Sequence, residues 1–145
     1  MIQRIQSVFL VLAATCFGLL FGVPMAISDT ATAQFLSDRV YDVTDHPALI
    51  ALSILGTVLC LIAVFVFRNR TLQLKLGYLI IALAILLPIA TFLLFTNESA
   101  NIAATAQVED QIGMFLPLGA VLFGGLANYF IRKDEKLVKS MDRLR

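Results

Sequence analysis

The stretch ALIALSILGTVLCLIAVFVF, residues 48–67, runs for twenty residues without an Asp, Glu, Lys, Arg or His. Coiled as an α-helix at about 1.5 Å per residue, it measures about 30 Å, the thickness of a bilayer's hydrocarbon core. Backbone amides surrounded by lipid must be satisfied within their own segment, so such a run is predicted to be helical. Three further charge-free runs of the same length lie at 8–27, 76–95 and 112–131. They account for a chain of 145 residues that is 59% hydrophobic and only 14% charged, where soluble domains carry about 25% charge. A soluble bundle apolar on every helix face would leave no polar surface to dissolve it. The sequence therefore predicts an all-α fold: one integral membrane domain over 1–145, a four-transmembrane-helix bundle.

The charges orient it. The net charge is only +1, yet ten of the eleven basic residues flank the same ends of the four runs. Arg4 precedes the first run; Arg68, Arg70 and Lys75 separate the second from the third. Arg132, Lys133, Lys136, Lys139, Arg143 and Arg145 follow the fourth. Arg39 alone lies on the opposite side, among Asp29, Asp38, Asp42, Asp45, Glu98, Glu109 and Asp110. Basic flanks stay in the cytoplasm. The expected topology is up-down-up-down with both termini cytoplasmic and a tail over 132–145. Tyr78 and Tyr129, each third from the inner end of its run, suit the interface, where a ring sits in apolar surroundings while its hydroxyl reaches water.

The first run also resembles a secretory signal, with Arg4 ahead of it and the small-x-small triplet Ala31-Thr32-Ala33 behind. Twenty apolar residues exceed the usual 7–15 of a signal core, and the triplet lies beyond their end, so the run is expected to be retained. Within it Ala14, Gly18, Gly22 and Ala26 recur every fourth residue. A stripe of small residues lets helix backbones approach, and packing drives helix association in lipid. The fourth run repeats the device with Ala120 and Gly124, adds Gly125, and places Asn128 to hydrogen-bond a neighbouring helix.

Candidates for chemistry are few. Cys16 and Cys60 both fall inside runs and are expected to be packing residues. His46, with Met25 and Met114 at a similar depth, is the one conceivable haem or copper set, and a single His is weak support for it. Asp38, Asp42 and Asp45 would share a face if their segment were helical, which is a cation site, a surface helix or simply the acidic outer loop. Pro24, Pro88 and Pro117 all fall in the outer halves of their runs, either tolerated or kinking their helices into a vestibule. No run carries the intramembrane ionisable residue that proton-coupled carriers keep. No P-loop, HExxH or GxSxG motif occurs. No enzyme activity, metal, cofactor or nucleic-acid partner is expected.

The ending IRKDEKLVKSMDRLR, residues 131–145, is basic on balance, and an anionic leaflet attracts such a segment by about 1 kcal/mol per basic residue. Leu137, Val138, Met141 and Leu144 fall on one helical face, so the fourth helix is expected to continue into the cytoplasm as an amphipathic extension. This ending, with the opening MIQRIQSVFLVLAA and the loop FRNRTLQLKL, resembles a bacterial family of small four-helix membrane proteins catalogued as domain of unknown function 4293. The resemblance implies a four-helix inner-membrane architecture and points to no mechanism. Arg132, Lys133, Asp134, Glu135, Ser140, Asp142 and Arg143 are its family-like positions, and they suggest docking or lipid-headgroup contact. The expectation is a non-enzymatic accessory or assembly subunit contacting membrane lipid and either a protein partner or itself; the alternative is a small homo-oligomeric transporter or channel.

Overall fold

The computed structural model describes residues 3–28, 38–99 and 108–142. In chain order the elements are α1 (Gln3–Leu19), β1 (Ala26–Ser28), β2 (Val40–Tyr41), α2 (Pro47–Phe65), α3 (Arg70–Ser99), β3 (Val108–Asp110) and α4 (Leu116–Asp142). Three helical stretches, Pro47–Phe65, Arg70–Asn97 and Ile112–Val138, are long and apolar enough to cross a membrane, and Ile5–Leu19 is a shorter apolar helix. Of an apolar eighteen-residue portion of each, only 28%, 28% and 33% is buried within the chain. Side chains such as Ile54, Leu61, Leu86, Phe92 and Leu122 face outward instead. An apolar exterior of that extent is stable against lipid and costly against water.

Each helix packs on two others: α1 on α2 and α4, and α3 on α2 and α4. Residue pairs between α3 and α4 run in opposite order. Arg70 meets Asp134, Gly77 abuts Asn128, and Gly124 abuts Ile80 and Ile81. Between α1 and α4, Phe9 stacks on Phe123 and Phe130, and Gly119 lies by Cys16. The core along the axis includes Leu10, Phe17, Leu49, Ile80, Leu87 and Ile131, all fully buried. Two ends result: a tail end holding the start of α1, the α2–α3 turn and the end of α4, and a cap end holding the strands.

The first helix is shorter than its apolar run. It stops at Leu19, where Phe21 and Gly22 donate to Gly18 and Leu19 in tight three-residue turns. Gly18 and Gly22 weaken the helix, and Pro24 biases the residue before it toward extended backbone. The chain then finds other partners. Met25 N donates to Tyr41 O at 2.8 Å, and Ala26–Ser28 becomes the central strand of a three-stranded antiparallel sheet in the order β2-β1-β3. Ala26 pairs with Tyr41 on one side and Asp110 on the other. The fold is thus not purely α, and at about 1.5 Å per residue α1 extends only about 25 Å. Gly22 and Ala26 do not continue the stripe begun by Ala14 and Gly18, because both lie beyond the helix.

The prolines do not act as a set either. Pro24 lies outside any helix, Pro117 sits in the first turn of α4, and only Pro88 of the three lies in a helix interior, where α3 continues through it. A first-turn proline removes an N–H that has no helical acceptor in any case. The segment with Asp38, Asp42 and Asp45 is likewise no helix where it is described. β2 is followed by a 3-10 turn, Val43–Asp45, closed by a capping box. Thr44 N donates to Asp42 Oδ1 at 2.6 Å, and Asp42 N donates to Asp45 Oδ2 at 2.7 Å. Those two carboxylates cap the turn that leads into α2.

Candidate interaction site at the tail end

The tail end brings together side chains from three separate parts of the sequence. α4 continues unbroken from its apolar run to Asp142, because no Gly or Pro interrupts the stretch after Gly125. Its first charged turn is fixed to the bundle. Arg70, at the start of α3, donates from Nη1 to the Asp134 carbonyl at 2.9 Å, and Asp134 is buried. The Arg132 guanidinium lies 5.3 Å from the Tyr78 ring centroid, within the range of a cation–π contact. Tyr78 therefore holds a cation of its own chain at this depth.

Beyond that anchor the helix presents a mixed surface. Lys133, Lys136, Leu137, Val138 and Ser140 are exposed, and Glu135 is half-buried. Leu137 is 46% and Val138 38% exposed, so the apolar face expected of the tail is uncovered where it is described. The Ser140 hydroxyl donates to its own helix at Leu137 O, 2.8 Å away. The side chains of Lys139, Met141 and Asp142, and all of Arg143 and Leu144, lie outside the described residues.

Beneath this surface sits a layer of amides. Gln6, Gln73 and Asn128 are all buried. Gln73 Nε2 donates to Ala63 O at 2.9 Å across the α2–α3 interface, leaving Oε1 without a hydrogen-bond partner. Both side-chain polar atoms of Gln6 and of Asn128 also lack one. Asn128 was expected to bond a neighbouring helix; it instead inserts its amide into the notch left by Gly77, where an added Cβ would overlap it. Gln6, three residues nearer the tail end than Phe9, stands about level with Asn128, since Phe9 stacks between Phe123 and Phe130.

The small-residue stripes divide. Ala14 and Ala120 are buried in the core, and Gly124 is packed with Ile81 Cγ1 3.2 Å from where a Cβ would stand. Gly18 and Gly125 have nothing within 4 Å of that position, and Gly22 only its own backbone. Their surfaces are open, so within one chain they join no helices. The glycines that do permit close approach are Gly56 under the Phe17 ring, Gly77 under Asn128 and Gly113 under Pro24. None stands in a four-residue repeat with another small residue facing the same neighbour. Only the inter-helix register reveals them. Cys16 and Cys60 are free thiols. Among the described residues no three His, Cys, Asp or Glu gather as a metal set.

A domain of unknown function, DUF4293, matches residues 2–144. The chain belongs to that family. No curated protein and no solved structure matches it. In their described residues, the three blocks that carried the resemblance meet at the tail end of the bundle: the start of α1, the start of α3 and the end of α4 of this DUF4293 chain. That end is where Gln6, Arg70, Gln73 and Asp134 are buried or paired.

Proposed function

We propose that this protein is a non-enzymatic accessory or assembly subunit of a bacterial inner-membrane complex, crossing the bilayer four times in up-down-up-down order. Both termini face the cytoplasm, which follows the distribution of Arg and Lys. The observation that carries the reading is the anchored tail: α4 is held at Asp134 by Arg70, and offers Lys133 beside that anchor and Lys136, Leu137 and Val138 beyond it to its surroundings. A helix fixed at its root and bare along a mixed apolar and basic face is built to dock in a groove or on an anionic surface. Lipid headgroups and a partner subunit would meet it in the same plane. The open surfaces at Gly18 and Gly125 suit a partner helix in the membrane or a second copy of this chain.

The double variant Leu137→Asp/Val138→Asp tests the docking. Both side chains are exposed, so the fold and membrane insertion should be retained. Subunits cross-linked to the native protein in its own membrane should fall by about tenfold or more, as for loss of about 1.4 kcal/mol or more at an interface. Unchanged cross-linking in a normally inserted variant would remove the tail as the docking element. A protein found only as homo-oligomers, passing ions or metabolites in vesicles, would replace the accessory role with transport.

A further inference from the structure

The cap end encloses a cavity of about 280 Å³ between the sheet and the last turns of α3. Met25, Tyr41, Thr91, Phe92, Phe95 and Met114 line it, with Ala26 at its back. Tyr41 and Phe95 meet edge to face at 5.5 Å, closing one wall. A separate void of only about 10 Å³ lies behind Met25, Thr91 and Met114, against Leu87, Pro88 and Pro117.

The lining restricts what can enter. Among the described residues it carries no charged side chain, so none of them would pair a headgroup phosphate or a carboxylate. Its two thioethers are too few for a soft metal site, and the Thr91 hydroxyl proton is taken by Leu87 O at 2.9 Å. Water is poorly served too, since it needs two to four polar partners and apolar cavities stay dry. The volume falls just under the roughly 300–1,000 Å³ of sites that enclose a drug-sized ligand, so a chain segment fits better than a whole molecule. Phe92 both lines the cavity and is 59% exposed, beside Ile89 at 50% and Leu93 at 54%. The mouth thus borders an apolar exterior on a helix long enough to cross a bilayer. We propose that this cavity takes a segment of a lipid acyl chain from the leaflet at the cap end. The site is independent of the tail and of any partner; it requires only that α3 be in the bilayer.

The full chain reconstituted in vesicles of phosphatidylethanolamine and phosphatidylglycerol, with a photoreactive diazirine in one acyl chain, tests it. After irradiation, peptide mass spectrometry should find adducts on Met25 and Thr91, which are buried and reachable only by a chain that has entered. Thr91→Phe fills the cavity from α3 and Ala26→Leu from β1. Each folded variant should lose the Met25 adduct, and Ala26→Leu the Thr91 adduct as well, by about fivefold or more, because a filled cavity admits no chain, while labelling of exposed Leu79 and Ile85 stays unchanged. Labelling of Met25 and Thr91 at background, or equal labelling in the filled variants, would overturn the proposal. So would a co-purified non-lipid molecule that blocks labelling when bound.

Discussion

Gly113→Ala is expected to unseat the cap. Gly113 is buried and donates its N–H to Pro24 O at 3.0 Å. A Cβ there would stand 2.7 Å from the Pro24 carbonyl carbon and 2.8 Å from Val23 O. Every obstructing atom is backbone, and that backbone is pinned on both sides by Gln111 N to Met25 O at 2.9 Å and Met25 N to Tyr41 O at 2.8 Å. No rotamer change relieves such a clash. The cost should reach about 3 kcal/mol, the upper end for overpacking a filled site. It should appear as a lowered unfolding midpoint of the detergent-solubilised protein and as faster proteolysis near β1 and β3. The four helices should keep their circular-dichroism signal, since the sheet contributes few of the ordered residues. A midpoint equal to that of the native chain would mean that the cap is not seated by this contact.

Gly77→Ala is the second large effect, and it should be reversible by a second change. Its methyl group would occupy the space of the Asn128 amide. Asn128 is buried with neither Oδ1 nor Nδ2 bonded, so displacing it gains no hydrogen bond in return. A loss of about 1–3 kcal/mol is expected. Asn128→Ala alone should cost less, because it removes a buried amide that is already unpartnered. In Gly77→Ala/Asn128→Ala the new methyl takes the vacated space, and the double variant should be more stable than Gly77→Ala. The coupling, measured by a double-mutant cycle of unfolding in detergent, should be about 0.5–3 kcal/mol. Strict additivity would place Asn128 elsewhere than in the Gly77 notch.

These two glycines show where sequence reading ends. The apolar runs at 48–67, 76–95 and 112–131 were legible because hydrophobic length is local; the last two lie within a helix or its leading 3-10 turn, and the one at 48–67 overruns α2 by Val66 and Phe67 only. The first run was overextended by two turns. Gly18, Gly22 and Pro24 were local signs of an early end, but the sheet that takes over gave none, because its other strands begin fourteen and eighty-two residues after the start of β1. Short strands of two or three residues give no alternation to detect. For the same reason Asp42 and Asp45 looked like one helical face when they cap a turn. The tail was legible as an amphipathic continuation of α4 because helical period survives the change from lipid to charge. The contact of Arg70 with the Asp134 carbonyl was not, since a backbone acceptor leaves no trace in side-chain pattern.

The site divides along the same line. Leu137 and Val138 could be read from spacing as one exposed face. The amide layer of Gln6, Gln73 and Asn128 spans 122 positions of sequence and is assembled only by packing. Small residues at regular spacing pointed to Ala14, Ala120 and Gly124, which are packed, and to Gly18 and Gly22, which are open, but not to the notches at Gly56, Gly77 and Gly113. A repeat shows where a close approach is possible; the facing side chain decides whether it is used.

The most direct test of the account is native mass spectrometry on the protein gently extracted from the membrane in which it is naturally made. A subunit role predicts the chain in a particle that also contains other proteins at fixed ratio, and predicts that Leu137→Asp/Val138→Asp sheds them. Monomers or homo-oligomers alone, identical for the native chain and that variant, would contradict it.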